Sequence, residues 1–98
     1  MALSKMKKSK ALETAELFGL VAGTTRVMIL MTLMKKKEMA VQDIAEELGM
    51  THSAVSHQLG LLSGAGIVSA QKDGRLMYYR IGTNKGAKAL TKFLAAVS

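Results

Sequence analysis

The sequence predicts a mainly α, α+β fold: about five helices with a two-stranded β-hairpin between the fourth and the fifth. Three observations predict it. Within residues 51–62, Val55, Leu59 and Leu62 fall at i, i+4 and i+7, the apolar stripe of one helix. Immediately before them, Leu48-Gly49-Met50 has the form of a helix end and a tight turn, so two helices meet across a short glycine-containing connection. After them, two β-prone runs, residues 67–72 and 76–81, flank Asp73-Gly74, a strong hairpin signal. Helix, turn, helix and hairpin in that order describe a winged helix-turn-helix.

Taken from the start, residues 1–9 carry Lys5, Lys7 and Lys8 and read as a flexible basic segment ahead of one domain over residues 10–98. Residues 10–22 read as a helix whose better side holds Leu12, Ala15 and Phe18, with Glu16 and Gly19 among them. Gly23-Thr24 breaks that pattern and caps the next helix. Residues 25–34 are apolar nearly all round, the mark of a buried central helix. Met28, Met31 and Met34, spaced by three, are expected to fill gaps in its core, a task suited to an unbranched side chain. Lys35-Lys36-Lys37 reads as a solvated loop beside that helix's C-terminus. Ala40 and Val41 open a third helix, with Ile44, Ala45 and Leu48 inward and Asp43, Glu46 and Glu47 outward. That acidic face suits a supporting helix.

The fourth helix begins at Thr51, a side chain that can cap it. Its outer side carries Ser53, Ser56, His57 and Gly60, and no acid occurs from residue 51 to residue 70. Short groups that donate or accept hydrogen bonds, without negative charge, can sit against base edges in a major groove. Gly64-Ala65-Gly66 follows a helix and precedes a strand, the reverse of a dinucleotide-binding fingerprint, and reads as a turn. In the hairpin, Lys72 and Arg75 fall at the tip and Arg80 near the base, positions suited to phosphates. Tyr78 and Tyr79 point to opposite faces, one into the core and one half in solvent. Thr83 or Asn84 caps a last helix over residues 85–97, whose Ala87, Leu90, Phe93, Leu94 and Val97 lie inward or at a subunit interface.

Composition narrows the function. Ninety-eight residues suit one small domain whose core a second subunit could extend. Fourteen Lys and Arg against seven Asp and Glu, a formal net charge of +7, favour a polyanionic partner. Without cysteine there is no disulfide, thiol catalysis or thiolate metal site. His52 and His57 are the only histidines, and five residues apart on a helix their rings diverge. No catalytic dyad is recognisable, so an enzyme is not expected, nor are a catalytic residue, a metal or a cofactor. The N-terminus lacks the apolar stretch of a secretory signal, and the longest apolar run, residues 27–33, is too short for a bilayer; the cytoplasm is expected and no membrane partner. The candidate DNA contacts are Thr51, His52, Ser53, Ser56, His57 and Gln58 for sequence, and Lys72, Arg75 and Arg80 for backbone. The rival is a winged-helix interaction module that docks an acidic protein on the same face.

The Ser53-Ala54-Val55-Ser56-His57 run, with Gly66-Ile67-Val68 and the downstream Gly74-Arg75 and Tyr78-Tyr79-Arg80, resembles the ArsR/SmtB family of winged-helix repressors. The resemblance covers roughly residues 22–81. It implies a homodimer joined through the first and last helices, binding an imperfect palindrome in double-stranded DNA. Four departures matter. Gly23-Thr24 stands where the family usually has Asp-Pro, and Gly60 where relatives often carry a longer, frequently basic residue. Ala40 and Gln42 occupy the positions of a metal-sensing Cys-x-Cys, and no histidine follows His57 to build a site on the last helix. Metal sensing therefore does not carry over, and Zn(II), Cd(II) or As(III) should leave DNA affinity unchanged. Any effector is expected to be a small organic ligand or a protein.

Overall fold

The computed structural model describes residues 5–20 and 23–97, in the order α1 (Lys5–Leu20), α2 (Thr24–Lys36), β1 (Met39–Ala40), α3 (Val41–Leu48), α4 (His52–Gly64), β2 (Val68–Asp73), β3 (Leu76–Ile81) and α5 (Lys85–Val97). Five helices and an antiparallel sheet confirm the winged helix-turn-helix. The core is one cluster. Ile29, Leu30 and Leu33 of α2, Ile44 of α3, and Val55, Leu59 and Leu62 of α4 meet Val68 and Tyr79 of the sheet and Leu90 and Leu94 of α5.

Both helices of the helix-turn-helix end in the same way. After α3, Gly49 takes a left-handed conformation (φ 65°), and the Met50 N–H donates to Ala45 O at 2.9 Å. After α4, Gly66 does the same (φ 74°), and the Ile67 N–H donates to Leu62 O at 2.9 Å. In each case a bond back across the last turn satisfies an orphan carbonyl, and the next residue, Met50 or Ile67, returns apolar into the core. These two stops set the angle at which α4 leaves α3 and at which the hairpin leaves α4.

Several expectations need correction. The helix α1 begins at Lys5, five residues ahead of the expected start; Lys and Met are good helix formers and nothing there interrupts them. Residues 1–4, and 21–22 at the expected end of this helix, lie outside the described residues. Among the described residues of α1 it is Leu17, not Leu12 or Phe18, that packs on the core. Met28 and Met31 are not core filler: they are 39% and 41% exposed, and only Met34 is packed against the core. The helix presents Ile29, Leu30 and Leu33 to its neighbours, and at 3.6 residues per turn Met28 and Met31 fall on the opposite side. Lys35 and Lys36 close α2 itself.

Ala40 is the N-cap of α3, as expected, and it has a second role. It ends β1, a third strand, and pairs with Tyr78 while Met39 pairs with Tyr79, giving the order β1-β3-β2. The hairpin loop is Gly74-Arg75, since Asp73 still pairs with Leu76. Positive φ at its first residue alone, 65° at Gly74, is the requirement that makes glycine the natural occupant of that place in a II′ turn. Of the two tyrosines, Tyr79 is buried and Tyr78 half-buried, as alternation requires. Asn84 caps α5, its Oδ1 accepting from the Ala87 N–H at 2.8 Å, and its Nδ2 donates to Ala65 O at 3.2 Å. That one side chain joins the end of α4 to the start of α5.

Candidate nucleic-acid interface

The helix α4 is seated by three residues that see no solvent, Val55, Leu59 and Leu62. Each contributes roughly 1.5–3 kcal/mol through burial, more than enough to hold the opposite side in place. At the N-terminus, Thr51 Oγ1 accepts from the Ala54 N–H at 3.1 Å. Its hydroxyl hydrogen remains able to donate outward. His52, Ser53, His57 and Gly60 are exposed and Ser56 is half-buried, so the outer side holds mostly hydrogen-bonding groups and no acid, with the exposed Leu61 at its margin. An added Cβ at Gly60 would meet nothing within 4 Å. The glycine answers no need inside the fold.

The hairpin leaves the core early. In β2 only Val68 is buried, and Ser69 through Asp73 are exposed. In β3 Tyr79 is the one buried residue. The outer half of the hairpin is therefore an arm with no core of its own, carrying the exposed Lys72 on β2 and Arg75 in the loop. An arm of that kind can enter a groove or lie along a phosphate backbone without unpacking the domain.

Two of the expected contacts are engaged elsewhere. Arg80 donates to Glu38, just ahead of β1, in an ion pair that straps the base of the hairpin to the chain after α2. Between α2 and Glu38, Lys37 adopts φ 73° and ψ −51°, with the Glu38 N–H donating to Lys36 O at 2.9 Å, a strained γ-turn just ahead of the ion pair. Gln58 is half-buried, its Oε1 accepting from Arg26 Nη1 at 3.3 Å. The structure thus places Thr51 at the cap of α4, His52, Ser53, Ser56 and His57 along its first turns, and Lys72 and Arg75 at the hairpin's end. Arg26 and Glu38 escaped the sequence reading. An arginine inside an otherwise apolar stretch of helix was the signal available for the first; nothing local marked the second.

The outer sides of α1 and α5 differ in kind. Leu12, Phe18, Phe93 and Val97 are all exposed, and the rings of Phe18 and Phe93 meet edge-on with centroids 6.1 Å apart. Among the described residues no single helix is long and apolar enough to cross a membrane.

Comparison with known proteins agrees with this geometry. A family model described as bacterial regulatory protein, arsR family, matches residues 23–70, from the cap of α2 into β2. An uncharacterised HTH-type transcriptional regulator of Methanocaldococcus jannaschii is 39% identical over 70% of this chain and 78% of its own. A transcriptional repressor SmtB homolog of Synechocystis is 34% identical over 81% of this chain, which spans 59% of that longer relative. The solution structure of a homodimeric winged helix-turn-helix DNA-binding domain from Mycobacterium bovis, a possible ArsR-family regulator, superposes with a TM-score of 0.75 at 31% identity, covering 98% of this chain and 90% of that one. With a capped helix-turn-helix, a projecting hairpin and relatives of this kind, the chain belongs to the arsR family and is a DNA-binding winged helix-turn-helix transcriptional regulator, not an enzyme.

Proposed function

We propose that the chain works as a homodimeric repressor in the cytoplasm and reads an imperfect palindrome. Two α4 helices related by a two-fold axis enter successive major grooves about 34–36 Å apart, or a multiple of that. Thr51, His52, Ser53, Ser56 and His57 meet base edges, while Lys72 and Arg75 hold the backbone. Residues 10–98 serve as the combined DNA-binding and dimerisation unit. The observation that carries this reading is the outer side of α4, rigidly seated, free of acids and lined mostly by groups that form hydrogen bonds. The exposed apolar residues of α1 and α5 support the dimer, as does the homodimeric Mycobacterium bovis domain. The repressor named among the relatives supports the sign of regulation.

Release from DNA is assigned to a small organic effector or a protein, since the chain has no cysteine and no histidine beyond His57. Selection of bound duplexes from a randomised library, with sedimentation of the free protein at micromolar concentration, tests both halves. A two-fold consensus and a dimer are expected. An asymmetric or absent consensus, or a monomer throughout that range, would refute the reading.

A further inference from the structure

Arg26 is the only charged residue of α2 ahead of Lys35. It lies third in the helix, where its charge opposes the positive end of the helix dipole. Its Nη1 donates to Gln58 Oε1, while its Nε is buried without a partner. Among the described residues no carboxylate pairs with it. A Cβ placed on Gly23 would come within 3.2 Å of Nη2, so the start of α2 closes over the guanidinium on one side. On the other side Glu16 and Gly19 of α1 and Leu61 of α4 line a hollow of about 420 Å³ that Arg26 also borders. A buried donor left unpaired costs stability, and this chain carries that cost at the place where α1, α2 and α4 meet.

The packing of α2 on α4 does not require it. Ile29, Leu30 and Leu33 already share a core with Val55, Leu59 and Leu62. Apolar burial is non-directional and leaves a helix some freedom to roll about its own axis. A hydrogen bond adds direction. Gln58 stands between His57, which is exposed, and Leu59, which is buried, so it marks the flank of α4. Helix side chains reach about 5–6 Å from the axis, and a roll of roughly 10° displaces their tips by about 1 Å. That displacement takes a base contact of about 2.9 Å out of hydrogen-bonding range.

We propose that Arg26 is a positioning residue: through Gln58 it sets the rotation of α4 about its axis, and with it the discrimination of the whole recognition face, without touching DNA. The proposal rests on α4 being the base-reading helix. It is tested by measuring affinity for the selected operator, for every single-base-pair change in one half-site and for an unrelated duplex. The chains compared are wild type, Gln58→Met, Arg26→Met and the double variant, each with its urea unfolding midpoint. Methionine preserves length and removes the polar pair. In Gln58→Met the operator preference should fall about tenfold, spread across the half-site. Affinity for the unrelated duplex, which charge sets, should stay within about twofold. The double variant should discriminate no worse than Arg26→Met alone, because the pair acts as a unit. If Arg26→Met does not fold, Arg26→Lys replaces it, and the distribution of the Gln58→Met loss decides by itself. A loss confined to one base pair and additive with Arg26→Met overturns the proposal, since Gln58 would then read that base directly. An unchanged preference with a lowered unfolding midpoint overturns it too, leaving a structural bond only. A wild-type chain that prefers no duplex overturns the reading of α4 and the proposal together.

Discussion

On α4 the side chains left in solvent include those of His52, Ser53 and His57, with Gly60 among them and Leu61 beside them; on α1 and α5 they include Leu12, Phe18, Phe93 and Val97. Both faces rest on the same core, and both are exposed in the single chain. The first consists mainly of groups that water satisfies as well as DNA does, so leaving it open costs little. The second is apolar, and a contiguous apolar surface on a small domain calls for cover. In our reading one face waits for a polyanion and the other for a second copy of itself. The difference shows how a chain of 98 residues separates recognition from assembly: each partner is selected by what its face lacks, acids in one case, polarity in the other.

The harshest way to break this comparison is to place a charge on the apolar side. Phe93 is 49% exposed, so Phe93→Asp should leave the fold intact while it separates the subunits. Operator affinity should then fall by roughly 10²–10⁴-fold, the share that linking two half-site contacts supplies. Sedimentation together with a DNA titration measures both effects; a dimer of undiminished affinity would move the interface to another surface.

His57→Ala acts on the opposite face and should spare assembly. Loss of one base contact should cost about 1–3 kcal/mol of operator binding, with the unrelated duplex much less affected. Equal weakening on both duplexes would turn His57 into a backbone contact. Arg75→Ala gives the complementary pattern. It should weaken both duplexes alike and make the salt dependence shallower by roughly one unit, and a change limited to one base position would reassign Arg75 to base readout.

Gly60→Ala is the smallest step and sharpens the account of the polar face. No atom lies within 4 Å of the added methyl, so the only change expected in the free protein is relief of the helix penalty of glycine. Stability should rise by up to about 1 kcal/mol, read from urea unfolding. A fall instead would mean that α4 bends at Gly60 in a way the added carbon resists.

Much of the site was legible in the sequence because its signals are local. The stripe of Val55, Leu59 and Leu62 is a property of helical period, and Thr51, Asn84, Gly49 and Gly66 act on backbone groups within a turn of themselves. Neighbouring residues therefore determined where α4 begins, which side it buries and how it ends. The hairpin was legible for the same reason, apart from a shift of one residue in its loop.

What only the tertiary structure decided lies between residues far apart in the chain. The two-residue strand β1 has no periodicity of its own and exists because β3 offers it an edge. Arg80 finds Glu38 across 42 positions, and Arg26 finds Gln58 across 32. The side of α2 that faces outward, with Met28 and Met31, follows from where α3, α4 and β3 press on it. Period and cap chemistry are written in adjacent residues because a turn of helix spans only four of them. A paired charge or an added strand depends on which distant surfaces the core draws together, and apolar attraction, having no direction, leaves that choice to the packing of the whole.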